Sequence, residues 1–428
     1  MKKFFKLVLV LVCMCTVFAL VACGGNPGNE GGNGGGNQGG KGKSVRIGLI
    51  CLHDTSSTYD KNFIDSMYRA LEELELSVEN LELATGIAEG APCYEKAAEF
   101  AATCDIVFAD SFGHEPYMLQ AAAEFPNVIF CHATGTQAHT AGVSNYYNAF
   151  ASIYEGRFLA GIAAGMKLNE MIAAGQFTSD QAKVGYVGAF PYAEVISGYT
   201  SFFLGVRSVC HTATMEVRYT SSWYDLDKEY AAANALIEGG CKLISQHADS
   251  YGAPNACEEH NVPNVTYNGS TAEQCPNTYI ISSKIDWTPY YVKMISAVMN
   301  GEKVSETDYT GTIATGSVKL DAVGSAAAAG TQEAIDAAKA LLQAGTLHVF
   351  DCSQFTVSTH GDGVNTFFNL NARLDDNHKV IGYLADVHDD GTFTGETEVV
   401  ANGYFHESEY RSAPYFDLII DGITVINE

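Results

Sequence analysis

The chain has 428 residues, with 24 Lys or Arg against 50 Asp or Glu, and its formal net charge is −26. So acidic a chain is unsuited to nucleic acid or to anionic lipid headgroups, because both carry charge of the same sign. The length is sufficient for two domains with full hydrophobic cores.

The N-terminus has the layout of a secretory signal. Lysines occupy three of the first six positions, an apolar run fills residues 7–21, and the small residue Ala22 precedes Cys23. The ending Leu-Val-Ala-Cys resembles a bacterial lipobox, in which the cysteine is lipidated and becomes the first residue. An ordinary signal peptide and a spanning anchor are the alternatives, but the run is short for a helix that crosses a membrane. We therefore predict a lipoprotein signal peptide at 1–22, with an acyl anchor on Cys23 that holds the protein outside the cell membrane.

Residues 23–43 form a Gly- and Asn-rich segment, which predicts a flexible tether after the lipidated cysteine. Beyond it lie Cys51, Cys93, Cys104, Cys131, Cys210, Cys241, Cys257, Cys275 and Cys352. Their number is odd, their spacing is irregular and no Cys-x-x-Cys pair occurs. These features argue against a disulfide framework and against a zinc site, while one or two bridges remain open. We expect no metal and no cofactor.

After the tether, strand-like and helix-like segments alternate. Apolar runs predict strands at 45–52, 105–110, 127–133, 183–190, 215–220 and 242–247, and two more near Val265 and Ile280. Apolar residues at helical spacing predict helices beyond Asp60 and at 117–125, 154–166, 195–209 and 227–237. This alternation indicates an α/β protein with parallel sheets, and its two successive series indicate two similar lobes.

Candidate binding residues follow the predicted strands. A ligand of such a fold lies in the crevice at the carboxyl ends of the strands. Aromatic and polar side chains occur there together, namely Tyr59, Asp60, Phe112, Phe190, Glu194, Trp223, His247 and Asp249. Aromatic walls with polar partners at their edge suit a flat polar heterocycle.

Each candidate also has a purely structural interpretation. The aromatic rings could fill the core, and Trp223 and Trp287 could fill helix–sheet junctions. Asp60 and Asp249 could cap helices instead of accepting from a ligand N–H group. Glu194 could favour the start of a helix through its charge, and His247 could be a hydrogen-bonded junction residue, which is a commoner role than that of a metal ligand.

Several segments resemble the basic membrane protein family of bacterial lipoproteins, the substrate-binding components of ABC importers for purines. The resemblance runs from about Val45 to the C-terminus. It is carried by Glu155–Gly161, Gly185–Pro191 with Glu194–Ile196, Ser222–Asp225, Gln246–Ser250 and Trp287–Tyr291. It implies two Rossmann-like lobes of the type I periplasmic-binding-protein kind, joined by three crossovers and closing on the ligand by a hinge. We assign residues 44–148 and 286–345 to the first lobe, and 149–285 and 346–428 to the second. Tyr404 to Gly422 is predicted to be a strand-rich edge of the second lobe.

The chain departs from the nucleoside-binding branch of that family. That branch holds ribose with a carboxylate and a lysine, and the corresponding positions here are Asn268 and Ile285, with Lys284 only adjacent. A sugar diol forms its strongest hydrogen bonds with a charged acceptor. The resemblance therefore favours an adenine-like nucleobase, walled by rings that include Trp287 and met at its rim by Asp249 and Asn268. A nucleoside is the alternative ligand.

A catalytic function is not expected. The sequence contains no Gly-x-Ser-x-Gly, no His-Glu-x-x-His and no aspartate-rich run. A nucleoside hydrolase using His247 and Asp249 is one alternative, and a sensory lipoprotein that presents its ligand to a receptor is another. We expect a monomeric binding protein whose partners are the purine, an ABC permease and, through the lipid anchor, the membrane.

Overall fold

The computed structural model describes residues 44–304, 306–358, 371–389 and 395–426. The predicted signal peptide, Cys23 and the tether to residue 43 lie outside these residues. Within the described part, no helix is sufficiently long and apolar to cross a membrane.

The described part of the chain begins with five strands and three α-helices. They are β1 (Ile47–Ile50), α1 (Thr58–Glu73), β2 (Leu81–Ala84), α2 (Ala91–Ala101), β3 (Ile106–Ala109), α3 (Glu115–Glu124), β4 (Ile129–Ala133) and β5 (Tyr146–Ala151). All four residues of β1 and of β3 are buried, because helices cover both faces of a parallel sheet. The side chain of Ser57 caps α1 by accepting from the Asp60 backbone N–H at 3.2 Å.

A second series repeats this pattern. It consists of α4 (Tyr154–Ala173), β6 (Lys183–Gly188), α5 (Ala193–Val209), β7 (Thr214–Tyr219), α6 (Leu226–Glu238), β8 (Leu243–Gln246), α7 (Gly252–His260), β9 (Asn264–Tyr267) and β10 (Tyr279–Ile285). Then follow α8 (Thr288–Asn300), β11 (Asp308–Gly311), β12 (Val318–Leu320) and α9 (Thr331–Gln343). The C-terminal segment contains β13 (Ala372–Leu374), β14 (Val380–Ala385), β15 (Thr397–Glu398), β16 (Val400–Ala401), β17 (Tyr404–Phe405) and β18 (Ile423–Val425).

The two large sheets have the same internal strand order. The first runs β2-β1-β3-β4-β5-β11 and is parallel throughout. The second runs β18-β7-β6-β8-β9-β10-β12, and within it only β12 is antiparallel to its neighbour. The chain passes between the sheets after β5, after β10 and after β11. These passages divide the protein into two lobes joined by three crossing segments.

One predicted lobe boundary differs from the structure. The sequence predicts that residues 286–345 belong to the first lobe, but only α8 and β11 do. Strand β12 pairs with β10, and α9 packs against α4, so 318–343 belong to the second lobe. Local periodicity predicts a strand or a helix without indicating which sheet it joins.

The last segment also differs from the prediction. Tyr404–Gly422 contains only the short strand β17, and the strand at the sheet edge is β18, just beyond that range. This segment forms hydrogen bonds with both lobes. The Ser412 backbone N–H donates to Asp308 at 3.2 Å in the first lobe, and the Ser197 hydroxyl of the second lobe donates to Glu407.

Helices α4 and α5 are in backbone contact at the centre of the second lobe. A Cβ atom on Gly161 would lie 2.0 Å from the Phe202 carbonyl oxygen, and one on Gly205 would lie 2.0 Å from that of Phe158. Only glycine allows this approach. The contact fixes α4 against the sheet, which places Arg157 in the interior beneath the ends of β8 and β9.

Glu407 makes the stability of the fold depend on pH. Burial raises its pKa to about 7 from the ordinary 4.5, so the folded protein retains a proton that the unfolded chain loses. The contribution of this group to the unfolding free energy therefore falls as pH rises from about 4.5 to about 7. Above about pH 7 that contribution stays constant. We predict that Glu407→Gln gains stability relative to the wild type between pH 5 and pH 8, by roughly 2 kcal/mol. Urea unfolding at both pH values measures this gain, with exposed Glu302→Gln as the control. Equal pH dependence in the wild type and Glu407→Gln would contradict the prediction.

Candidate functional site

The strand order determines where a cleft forms. In each sheet the order reverses at the second and third positions, between β1 and β3 and between β6 and β8. Loops leaving the carboxyl ends of such neighbouring strands diverge to opposite faces and leave a crevice. The two crevices face each other in this structure, and one cavity is lined by residues from both lobes.

That cavity is lined by Leu52, His53, Tyr59, Asp60, Ser111, Phe112, Thr134, Glu194, Trp223, His247 and Asp249. The space between these residues totals about 380 Å³, part of which is open to solvent. Contacts also join the lobes across it. The Thr58 backbone N–H and hydroxyl donate to the Asp249 carbonyl at 3.0 and 3.1 Å, and the Phe112 ring centroid lies 5.5 Å from that of Tyr192.

Aromatic rings form much of the wall. Trp223 lines the cavity, and Phe190 lies behind it in an edge contact with a centroid separation of 5.1 Å. Phe190 also stacks on Tyr192 at 5.3 Å. On the opposite lobe, the Tyr59 hydroxyl donates to the Asp110 carbonyl at 2.7 Å, which fixes the ring at the cavity. Rings held from several sides provide flat apolar surfaces at little further entropic cost.

Asp60 is the carboxylate of the first lobe that lines the cavity. It accepts hydrogen bonds from the His53 backbone N–H at 2.7 Å and the Ser57 hydroxyl at 2.6 Å. Burial alone would raise its pKa, but the hydrogen bonds from His53 and Ser57 outweigh burial and lower the pKa below its ordinary value. Asp60 is therefore ionised near neutral pH.

Asp249 is the buried carboxylate of the second lobe, with 6 % of its surface exposed. Its backbone is fixed, since its N–H donates to the Trp223 carbonyl at 3.0 Å. Its carboxylate accepts no hydrogen bond from any residue that the structure describes. Burial, followed by the charges of Glu229 and Asp60, raises its pKa well above the ordinary value. Burial thus favours a proton on this carboxyl group when no donor faces it, whereas a ligand N–H group that donates to it would favour the ionised, accepting form.

Arg157, which lies behind the cavity, forms a hydrogen-bonded chain with the lining residues His247 and Glu194. One guanidinium nitrogen of Arg157 donates to the Gln246 carbonyl at 2.8 Å and the other contacts His247 Nδ1 at 3.0 Å, while the guanidinium lies 3.5 Å from the Tyr267 ring centroid. Because Arg157 can only donate, His247 Nδ1 accepts and the proton of the neutral ring lies on Nε2. That N–H points toward Glu194, 3.4 Å away. Burial lowers the pKa of His247, so the ring is neutral and presents a donor beside the Glu194 acceptor.

Seven of the ten ligand-binding candidates meet at the cavity, and Phe190, Asn268 and Trp287 are not among its lining residues. Trp287 is buried against Phe63, with a ring separation of 4.3 Å, at the second crossing between the lobes. Asn268 is buried in a left-handed turn, φ 60°, where its side-chain oxygen lies 3.5 Å from Asn62. Lys284 is paired with Asp321 at the edge of the second sheet.

Four lining residues are absent from the ten candidates, namely Leu52, His53, Ser111 and Thr134. Leu52 and His53 follow β1, Ser111 follows β3, and Thr134 follows β4 directly. The rule that ligands lie at the carboxyl ends of strands predicts all four positions. The candidates were limited mainly to aromatic and acidic residue types, which is why these four are missing from them.

This arrangement, a cleft between two parallel-sheet lobes with the same internal strand order, is that of the two-lobed solute-binding proteins. The model of the Bmp family, described as ABC transporter substrate-binding protein PnrA-like, matches residues 47–343, and the chain belongs to this family. The resemblance noted in the sequence is thereby confirmed. The family comprises binding proteins, in agreement with the prediction that this chain is not an enzyme.

Two curated relatives share 33% identity with the chain. One is a putative ABC transporter glucose-binding protein of Haloferax volcanii, matched over 51% of this chain and 51% of the relative. The other is a purine-binding protein of Brucella abortus, matched over 53% of this chain and 60% of the relative. The chain spans only about half to three-fifths of the length of these relatives. Because the two relatives are equally identical to this chain, sequence identity does not favour the one named for glucose over the one named for purine.

Solved structures confirm the predicted fold class. An ABC transporter solute-binding protein of Conexibacter woesei superposes with a TM-score of 0.58 at 20% identity, covering 71% of this chain and 98% of that one. A solute-binding protein of Aeropyrum pernix gives a TM-score of 0.60 at 14% identity, covering 74% and 94%. At such identities the similarity is one of fold.

Arg157 should stabilise the protein through the chain that it forms with His247. We predict that Arg157→Lys lowers the unfolding free energy by roughly 1.5–3 kcal/mol, because the planar guanidinium that contacts both His247 and the Gln246 carbonyl is lost. Denaturant unfolding measures the loss, and NMR of the His247 ring reports whether the proton remains on Nε2. Arg46→Lys, at an exposed ion pair with Glu82, should change stability by less than about 0.5 kcal/mol. Equal losses in the two variants would contradict a structural role for this chain of groups.

Proposed function

We propose that this protein is the substrate-binding component of an ABC importer and that it captures a purine nucleobase, adenine-like, in the cleft between its lobes. The observation that carries the proposal is the carboxylate of Asp249, which is buried at the cavity and accepts no hydrogen bond from the described residues. A purine offers amine and ring N–H donors at its rim, and such a donor would satisfy this acceptor.

The walls of the cavity suit the faces of the same ligand. Tyr59, Phe112 and Trp223 line it, and an aromatic face can stack on a purine ring. Polar groups lie in the same lining, with Asp60 and Glu194 as acceptors and the His247 N–H as a donor. A flat ring with mixed donors and acceptors around its rim matches this alternation of apolar walls and polar groups.

The base is favoured over the nucleoside on two grounds. The space between the lining residues is limited to about 380 Å³, part of which is open solvent. In addition, neither the Asn268 position nor Lys284 supplies a charged group to it, since Asn268 lies outside the lining and Lys284 pairs with Asp321. The relative from Brucella abortus is named a purine-binding protein, which supports the purine class. The relative from Haloferax volcanii is named for glucose, so a sugar belongs in the test.

Calorimetric titration of the purified full chain tests the ligand. We predict that adenine binds more tightly than adenosine and that glucose does not bind. Asp249→Ala should weaken adenine binding roughly 5- to 150-fold, because a ligand N–H is left buried and unpaired. Asp227→Asn, exposed on the first turn of α6, is the matched acidic control and should leave the affinity unchanged. Tighter binding of adenosine would overturn the preference for the base, and binding of glucose alone would overturn the purine class.

We further propose that lipid on Cys23 holds the protein at the outer side of the cell membrane, as a monomer beside its permease. The support is the Lys-rich start, the apolar run and the Leu-Val-Ala-Cys ending. In a bacterial host, Cys23→Ala should leave an unprocessed precursor that no longer incorporates a labelled fatty acid. Cys51→Ala retains the Leu-Val-Ala-Cys sequence at Cys23 and should be processed and labelled normally. Normal labelling of Cys23→Ala would refute the anchor.

A further inference from the structure

Beside the cavity, three potential metal ligands converge from separate parts of the first lobe. Strands β1 and β3 are parallel neighbours in which Ile50 pairs with Ala109, so the following residues, Cys51 and Asp110, lie side by side. The first turn of α1 brings Asp60 against them. The Cys51 sulfur and one carboxylate oxygen from each aspartate all lie within 4.8 Å of one another.

These groups are buried, and one of their atoms has no partner. Cys51 and Asp110 are each 0 % exposed and Asp60 is 1 % exposed. Asp110 Oδ1 accepts from the Leu52 backbone N–H at 3.1 Å, whereas Asp110 Oδ2 is buried with no hydrogen-bond partner in the described structure. A buried carboxylate oxygen without a partner carries a large desolvation cost.

The described residues supply little positive charge to this cluster. No lysine or arginine of the described part forms an ion pair with Asp60 or Asp110. His114 Nδ1 lies 4.0 Å from Asp110 Oδ1, which is beyond hydrogen-bond distance, and its Nε2 is 3.0 Å from the Ile87 carbonyl oxygen. The His53 ring is 3.4 Å from Asp60 at the cavity side. Two carboxylates at this separation repel each other strongly in a low-dielectric interior unless a cation or a shared proton lies between them.

We propose that Cys51, Asp60 and Asp110 bind a divalent transition-metal ion of the Zn²⁺ type beneath the ligand cleft. One sulfur and two carboxylate ligands favour zinc over magnesium or calcium, which take oxygen ligands only. Three protein ligands leave a coordination position for a small molecule, as in zinc sites that are not purely structural. Asp60 also lines the ligand cavity, which provides a route by which the ion can enter. The site goes beyond the proposed function and does not require a purine.

Cobalt substitution tests the site directly, because Co²⁺ bound to a thiolate has a near-ultraviolet charge-transfer band. The full chain is treated with chelator, freed of it and titrated with Co²⁺ in the absence of any purine. We expect one equivalent to bind, with the thiolate band, and Zn²⁺ to displace it. Asp110→Asn should weaken cobalt binding at least tenfold.

Cys51→Ser should abolish the thiolate band, whereas Cys131→Ser should retain it, since Cys131 is also a buried strand cysteine but lies on β4 outside the cluster. Circular dichroism establishes whether each variant is folded. If a variant is unfolded, the cobalt titration of the wild type alone decides whether the metal site exists. Absence of stoichiometric cobalt binding by the wild type would overturn the proposal and favour a proton shared by the two carboxylates. Persistence of the band in folded Cys51→Ser would overturn the assignment of the ligands. Purine affinity is not a readout, so this result is separate from that of the ligand titration.

Discussion

The cleft brings together more buried acidic groups than its surroundings neutralise, and this imbalance governs what the site can bind. Asp60 and Asp110 in the first lobe and Asp249 in the second are almost fully buried. Arg157 is the buried cation behind them, and its guanidinium is committed to the Gln246 carbonyl and to His247. Buried carboxyl groups of this kind become stable when they retain a proton, accept from a donor or bind a cation.

The buried acidic groups of the two lobes require partners from different sources. In the second lobe, Asp249 faces the cavity, so its partner must come from the ligand, and a ligand with N–H donors gains most from it. In the first lobe, Asp110 lies away from the cavity beside Cys51, so its partner must be a proton or an ion within the protein. Asp60 belongs to both environments, because it lines the cavity and also adjoins Asp110. The occupancy of the buried cluster therefore influences the charge that a ligand meets in the cleft.

Much of the fold follows from the sequence, because its strands are short apolar runs and its helices are amphipathic. The carboxyl-end rule also located the cavity, and it placed Asp60 and Asp249 in its lining. The sequence could not indicate which sheet receives a later strand, since β12 and α9 have the same periodicity whichever lobe they join. Nor could it distinguish a ring that lines the cleft, such as Trp223, from one that packs in the core, such as Trp287, because both precede helices. Spacing along the chain does not indicate the cluster at Cys51, because Cys51 and Asp110 meet through the pairing of β1 and β3.

The three crossings between the lobes have a consequence for how the chain can assemble. The first sheet lacks its edge until β11 is made, and the second is completed on one side by β12 and on the other by β18, the last strand described. Neither lobe is therefore a self-contained stretch that can mature while the rest of the chain is still being synthesised. Closing contacts between distant parts of a chain is slow, because the entropy of the intervening loop must be lost first. The second sheet can therefore be completed only after β18 has been synthesised, although most of its strands come from residues before 290.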